Sequence, residues 1–133
     1  MRKLVPAVLL LPALLLVSLG AGAGTVVELR LDDEIIHSVS AEYVVQGIEH
    51  AEKSNADAVL IWINTPGGLD TSMREMVDSI TTARVPVIVY VAPTGSRAAS
   101  AGFFILLASD VAVMAPGTTS GAASPVAFGG GQT

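Results

Sequence analysis

The sequence predicts an α/β fold on a mostly parallel sheet, and three observations predict it. Apolar runs of strand length alternate with segments of helical periodicity, in the order strand, helix, strand, helix, strand, helix, strand. Two of the runs, Ala58 to Ile63 and Val87 to Val91, are continuously apolar, the pattern of strands buried on both faces of a parallel sheet. Each run ends on a break containing Pro and Gly: Asn64-Thr65-Pro66-Gly67-Gly68 after the first, Pro93-Thr94-Gly95-Ser96 after the second. Strands so connected are joined by right-handed crossovers.

Each element has its own signal. From Thr25 to Leu31, Val27, Leu29 and Leu31 alternate with Glu28 and Arg30, which predicts a half-buried strand. Asp32-Asp33-Glu34 is a polar turn, and Ile35-Ile36 starts a return. Ser38 or Ser40 can cap the first helix, in which Tyr43, Val44, Ile48 and Ala51 recur at helical spacing and which Ser54-Asn55 ends. The second helix carries Leu69, Met73, Met76, Val77 and Ile80 on one face. Ala98 to Ala108 is small and apolar and predicts a short buried helix, followed by a short strand from Val111 to Met114. Gly117 to Thr133 shows no periodicity, and its end, Phe128-Gly129-Gly130-Gly131-Gln132-Thr133, reads as a loop, so the domain is expected to be C-terminally incomplete.

Composition narrows the function classes. At 133 residues there is room for one small domain. Hydrophobic residues make up 51% and charged residues 14%, so the chain needs a buried core or a membrane. The formal net charge is -5, and two of the seven basic residues, Arg2 and Lys3, stand at the N-terminus. No basic patch remains to neutralise phosphates, so no nucleic-acid partner is expected. The absence of cysteine excludes disulfides, thiol nucleophiles and thiolate metal sites. His37 and His50 are too few for a metal cluster, and no cofactor or metal is expected.

The N-terminus reads as an address. Met1-Arg2-Lys3 is basic, Leu4 to Leu19 is an almost unbroken apolar run, and Ala21-Gly22-Ala23 has the A-x-A cleavage pattern. Residues 1–23 are therefore a signal peptide or a membrane anchor, and 24–133 the N-terminal portion of the domain. In either case the basic flank stays inside, and the rest is expected on the extracytoplasmic side, associated with the membrane.

Two motifs fall where ligands bind in parallel sheets, at the carboxyl ends of the strands. Thr65-Pro66-Gly67-Gly68 offers backbone N–H groups unobstructed by side chains at the start of a helix, where a developing anion is favoured. It could equally be a tight strand-to-helix turn. Gly95-Ser96-Arg97-Ala98-Ala99-Ser100-Ala101-Gly102 sets Ser100 among small neighbours that leave it open to attack a substrate, with the Ala101 N–H beside it. It could equally be a closely packed small-residue helix whose serine bonds its own backbone.

Together, in one order and spacing, the motifs resemble those of the membrane-bound Clp-like serine proteases called NfeD long-form or stomatin-operon proteases, of the ClpP/crotonase superfamily. The likeness rests on Asn64 to Gly68, Pro86-Val87-Ile88-Val89-Tyr90-Val91, Gly95 through Gly102, Ala115-Pro116-Gly117-Thr118 and Gly121 to Val126. It implies a fold of ββα repeats. It also implies that Ser100 is the nucleophile and that Gly67, Gly68 and Ala101 form the oxyanion hole. Gly68 and Ala101 would act through their N–H groups, and Gly67 would shape the turn. The implied activity is endopeptidase cleavage of hydrophobic segments, including those of stomatin-like membrane proteins, by a chain able to form a homo-oligomer.

A serine nucleophile needs a base. Clp proteases use a histidine in the segment matching Gly121 to Pro125, where this sequence has none; membrane-bound relatives use a lysine on a helix that would lie beyond Thr133. Lys53, among Glu49, Glu52 and Asp57, does not match that base. The alternative functions are a catalytically dead or truncated module that binds apolar peptides, and a crotonase-type acyl-CoA enzyme. The N-terminal segment and the complete serine motif count against the acyl-CoA enzyme.

Overall fold

The computed structural model describes residues 22–32 and 34–124. The alternating segment forms β1 (Val26–Asp32), with Leu29 and Leu31 buried and Glu28 and Arg30 outward. It lies parallel to β2 (Ala58–Asn64), β2 to β3 (Val87–Val91), and β3 to β5 (Val111–Met114), giving the order β1-β2-β3-β5. Helices α1 (Ser38–Lys53), α2 (Asp70–Thr82) and α3 (Ala101–Ala108) make the crossovers. Two further strands, β4 (Arg97–Ala99) and β6 (Thr119–Gly121), pair in parallel as a separate two-stranded sheet.

Every crossover of the main sheet steps in the same direction along it. Right-handed connections therefore bring all three helices to one face. The core lies there: Leu31, Ile61, Ile63, Val89 and Val91 of the strands meet Val44, Ile48, Met76 and Ile105 of the helices. The other face of β2 and β3 is only half-covered, contrary to the double burial that their apolar runs predict. Val59, Ile61 and Ile63 are buried, but Leu60 and Trp62 are not fully so, and Ile88 and Tyr90 repeat the alternation in β3. On this second face Arg30, Trp62, Tyr90 and Val113 stand in register across the sheet. The Arg30 guanidinium covers the Trp62 ring at 4.5 Å, and the Tyr90 ring packs beside it with centroids 4.8 Å apart.

Helix α1 is capped by His37, not by Ser38 or Ser40. The His37 Nδ1 accepts from the N–H groups of Val39 and Ser40, at 3.2 and 3.4 Å, and Ser40 Oγ accepts from the His37 N–H at 2.9 Å. The imidazole thus fills the role in a capping box that a serine or threonine usually fills. Ala98 and Ala99 belong to β4, so α3 is shorter than its apolar stretch, and its Phe104 and Leu107 face outward instead of being buried. Strands of three residues are too short to show alternation, so β4 and β6 left no periodic trace in the sequence.

The apolar N-terminal segment through residue 21 and the Gly-rich end from residue 125 lie outside the described residues. Among the described residues no helix is long and apolar enough to cross a membrane.

Candidate active site

Both sequence motifs come together at the carboxyl ends of the parallel strands. β2 delivers Asn64 and Thr65 next to β4. The Thr65 N–H donates to the Arg97 carbonyl at 2.7 Å, the Thr65 carbonyl accepts from the Ala99 N–H at 3.1 Å, and Asn64 Oδ1 accepts from the Arg97 N–H at 3.1 Å. The strand that leads to Ser100 is thereby fastened to the strand that leads to the Gly-Gly turn.

The turn is shaped by what surrounds it. Gly67 has φ +116°, where side chains are rarely tolerated, and a Cβ on it would stand 2.6 Å from the Ser100 Cβ and 3.1 Å from its Oγ. Ser100 therefore rests on the bare side of Gly67. Gly68 is bounded by backbone: a Cβ there would overlap the Ile36 carbonyl oxygen and come within 2.5 Å of the Ile36 nitrogen. Ile36, fully buried, joins the turn through a parallel bridge to Gly68 and starts no longer strand. Its N–H donates to the Gly67 carbonyl at 2.9 Å and its carbonyl accepts from the Leu69 N–H at 2.8 Å.

These bonds leave the amides of the turn unequal. The Gly67 N–H donates to Thr65 Oγ1 at 3.1 Å and the Leu69 N–H to Ile36. The Gly68 N–H donates to no group among the described residues, nor does that of Ala101, the first residue of α3. An unsatisfied amide at a helix start and a second one in the adjoining turn can both receive an anionic oxygen.

Ser100 is half-buried and adopts φ 52° and ψ -117°. A non-glycine residue held at positive φ stores ~1–3 kcal/mol of strain and persists only where its surroundings enforce it. Here the Ser100 N–H donates to the Gly121 carbonyl at 2.8 Å and its carbonyl accepts from the Phe103 N–H at 3.0 Å. Its hydroxyl does not cap α3. Of the four residues singled out by sequence, Gly67 and Ser100 are in contact, Gly68 adjoins Gly67, and Ala101 opens the helix after Ser100. Sequence reasoning missed Ile36, Gly121 and the part played by Thr65, whose β-branched side chain just before Pro66 was the one available signal.

Among the described residues, the two histidines and Lys53 lie away from Ser100. The His37 Nδ1 caps α1 and its Nε2 pairs with Glu34 at 3.1 Å. His50 is exposed near the far end of α1. Lys53 pairs with Glu49 at 3.1 Å in the last turn, roughly 22 Å along the helix from the end nearest the site. Two surface clefts share Glu52 and Arg84, one of about 290 Å³ at the amino ends of β2 and β3 and one of about 410 Å³ between α1 and α2, both away from Ser100. Neither cleft is lined by Ser100, Gly67, Gly68 or Ala101.

The one-sided parallel sheet, with a small second sheet running into a serine-led helix, is a ClpP-like protease fold. A ClpP1 variant from Listeria monocytogenes has a TM-score of 0.62 at 26% identity, over 69% of this chain and 53% of that one. A serine-to-alanine variant of the 1510-N membrane-bound stomatin-specific protease gives 0.74 at 36% identity, over 81% of this chain and 53% of that one. A lysine-to-alanine variant of 1510-N in complex with a substrate peptide gives 0.71 at 39%, over 78% and 48%. By sequence the chain is 47% identical over 76 residues to the membrane-bound protease PH1510 of Pyrococcus horikoshii, covering 57% of this chain and 17% of that protein. It is 42% identical over 86 residues to the membrane protein NfeD1b of Bacillus subtilis, covering 65% and 19%. Residues 25–133 match the family described as NfeD1b, N-terminal domain, and the chain belongs to that family. It spans less than one fifth of these curated relatives and about half of the solved ones.

Proposed function

We propose that this domain carries the nucleophile of a membrane-associated serine endopeptidase of the Ser–Lys type, acting on hydrophobic peptide segments such as those of stomatin-like membrane proteins. Ser100 Oγ attacks the scissile carbonyl carbon, and the carbonyl oxygen takes up the negative charge. The N–H groups of Gly68 and Ala101 receive that charge. Gly67 contributes space, because its own N–H is bound to Thr65. Expulsion of the amine breaks the C–N bond and leaves an acyl-serine, which water then hydrolyses. The proton from Ser100 passes to a lysine, which returns it to the leaving amine.

The observation that carries this reading is the seating of Ser100 on Gly67. It sets a half-exposed, strained serine beside a turn with an unused amide. The relatives support it: one solved form of 1510-N has a serine replaced, and another, with a lysine replaced, holds a substrate peptide. The reading extends to export by residues 1–23, an extracytoplasmic position at the membrane and homo-oligomerisation. Relatives named as membrane proteins support its membrane part.

The test is labelling of the full-length protein by a fluorophosphonate probe, which we expect to modify the wild type and to be lost in Ser100→Ala. Equal labelling of the two would sink the assignment. A second reading, a peptide-binding module without catalysis, is favoured by the positions of His37, His50 and Lys53, none of which serves Ser100. Binding of an apolar peptide without labelling or cleavage would select it.

A further inference from the structure

We infer that Thr65 is the positioning residue of this site: its hydroxyl decides which amide of the Gly-Gly turn remains unused beside Ser100. The inference rests on the reading of Ser100 as nucleophile.

Thr65 is fully buried. Its Oγ1 donates to the Glu34 carbonyl at 2.5 Å, with the Gly67 carbonyl a longer alternative at 3.2 Å, and accepts from the Gly67 N–H at 3.1 Å. With Gly67 satisfied in this way and Leu69 bound to Ile36, Gly68 is the amide of the turn left without an acceptor. The methyl group of Thr65 fixes the other end of the site. A Cβ on Gly102 would overlap Thr65 Cγ2, so the methyl lies directly against the helix that Ser100 begins. The β-branched side chain is thus packed between the turn and the helix, while its hydroxyl serves the turn. The backbone of Thr65 meanwhile holds Arg97 and Ala99, just ahead of Ser100. One residue thus ties together the Glu34 segment, the turn, β4 and α3.

Loss of the hydroxyl leaves the Gly67 N–H without its acceptor, so the turn loses one of the bonds that set the plane of its peptides. Removing one oxyanion donor costs ~100–1,000-fold in rate, and a misplacement of about 1 Å costs ~100-fold. Partial disorder of the donor is expected to cost ~10-fold or more. The experiment compares fluorophosphonate labelling of Ser100 in the full-length wild type, Thr65→Val and Thr65→Ser, separating the maximal rate from the half-saturating probe concentration. Urea unfolding run in parallel identifies the folded variants. We expect Thr65→Val to lose at least ~10-fold in maximal rate at an unchanged half-saturating concentration, and Thr65→Ser to stay within ~3-fold of wild type. Labelling of folded Thr65→Val at the wild-type rate overturns the inference, as does a loss in Thr65→Ser equal to that in Thr65→Val. If Thr65→Val does not fold, amide hydrogen exchange in the wild type decides: Gly67 protected and Gly68 exchanging freely sustains the inference, and the reverse pattern overturns it. Wild type that takes no label at all refutes instead the nucleophile assignment on which it rests.

Discussion

Replacing Gly68 by alanine forces a methyl group into a space bounded by the Ile36 backbone. The new Cβ would overlap the Ile36 carbonyl oxygen and lie 2.5 Å from its nitrogen and 2.7 Å from its carbonyl carbon. No side chain can swing aside, because all three obstacles are main chain. Relief requires the segment before α1 to part from the turn. That breaks two hydrogen bonds, from Ile36 to Gly67 and from Leu69 to Ile36. Each is worth ~1 kcal/mol net, for about 2 kcal/mol together. Ile36, now without exposed surface, loses part of its burial. If half of that burial is lost, another ~1 kcal/mol goes with it, since fully burying such a side chain contributes about 1.5–3 kcal/mol. The expected loss is ~3 kcal/mol, against a total stability of about 5–15 kcal/mol for a typical domain. Urea unfolding of wild type and variant measures it, with an unchanged slope as the sign that the native state is otherwise intact. A loss under ~1 kcal/mol would refute the reasoning, since it would mean that the Ile36 segment yields without breaking its bonds. A Gly95→Ala variant gives the contrast: Gly95, unlike Gly68, has positive φ, at +90°, but no atom within 4 Å of an added Cβ, so it reports backbone strain without a clash.

Met76 is fully buried between α2 and the sheet, and Met76→Ala should cost ~2–5 kcal/mol in the same unfolding assay, with a loss below ~1 kcal/mol speaking against its place in the core. The Glu52 carboxyl is held below its ordinary pKa, first by the Arg84 backbone N–H at 2.7 Å and then by the Arg84 side chain. A carboxyl whose folded pKa is lowered adds stability that is fully present above its unfolded pKa of 4.5 and is lost as pH falls through the folded value. Glu52→Gln should therefore be less stable than wild type at neutral pH, and the gap between their urea midpoints should close below pH 4.5. A gap that widened toward acid would contradict the assignment.

The strands were legible because their signals are local. Leu29 and Leu31 alternate with charges, and Ala58 to Ile63 is too short and too apolar for anything but a buried strand or a helix fragment, with Pro and Gly closing it. The faces of the strands were not legible. Leu60 and Trp62 are as apolar as Ile61 and Ile63, yet only the latter meet helices, because the strand order brings every crossover to one side. The cap of α1 was misread for a related reason. Ser38 and Ser40 are the usual capping residues, but the chain enters the helix one residue earlier than Ser38, and there His37 Nδ1 was within reach of two amides.

The sequence alone determined the α/β class, the order of the main-sheet strands along the chain with the helices between them, and the two small-residue motifs. Each is written in neighbours that follow one another along the chain. Only the tertiary structure decided that Ser100 rests on Gly67, that Gly68 keeps the unused amide, and that Thr65 joins them. Thr65 and Glu34 are 31 residues apart, and no local pattern records which carbonyl a buried hydroxyl will find. That choice is made when packing closes the sheet against its helices and every buried polar group must take the partner geometry leaves it.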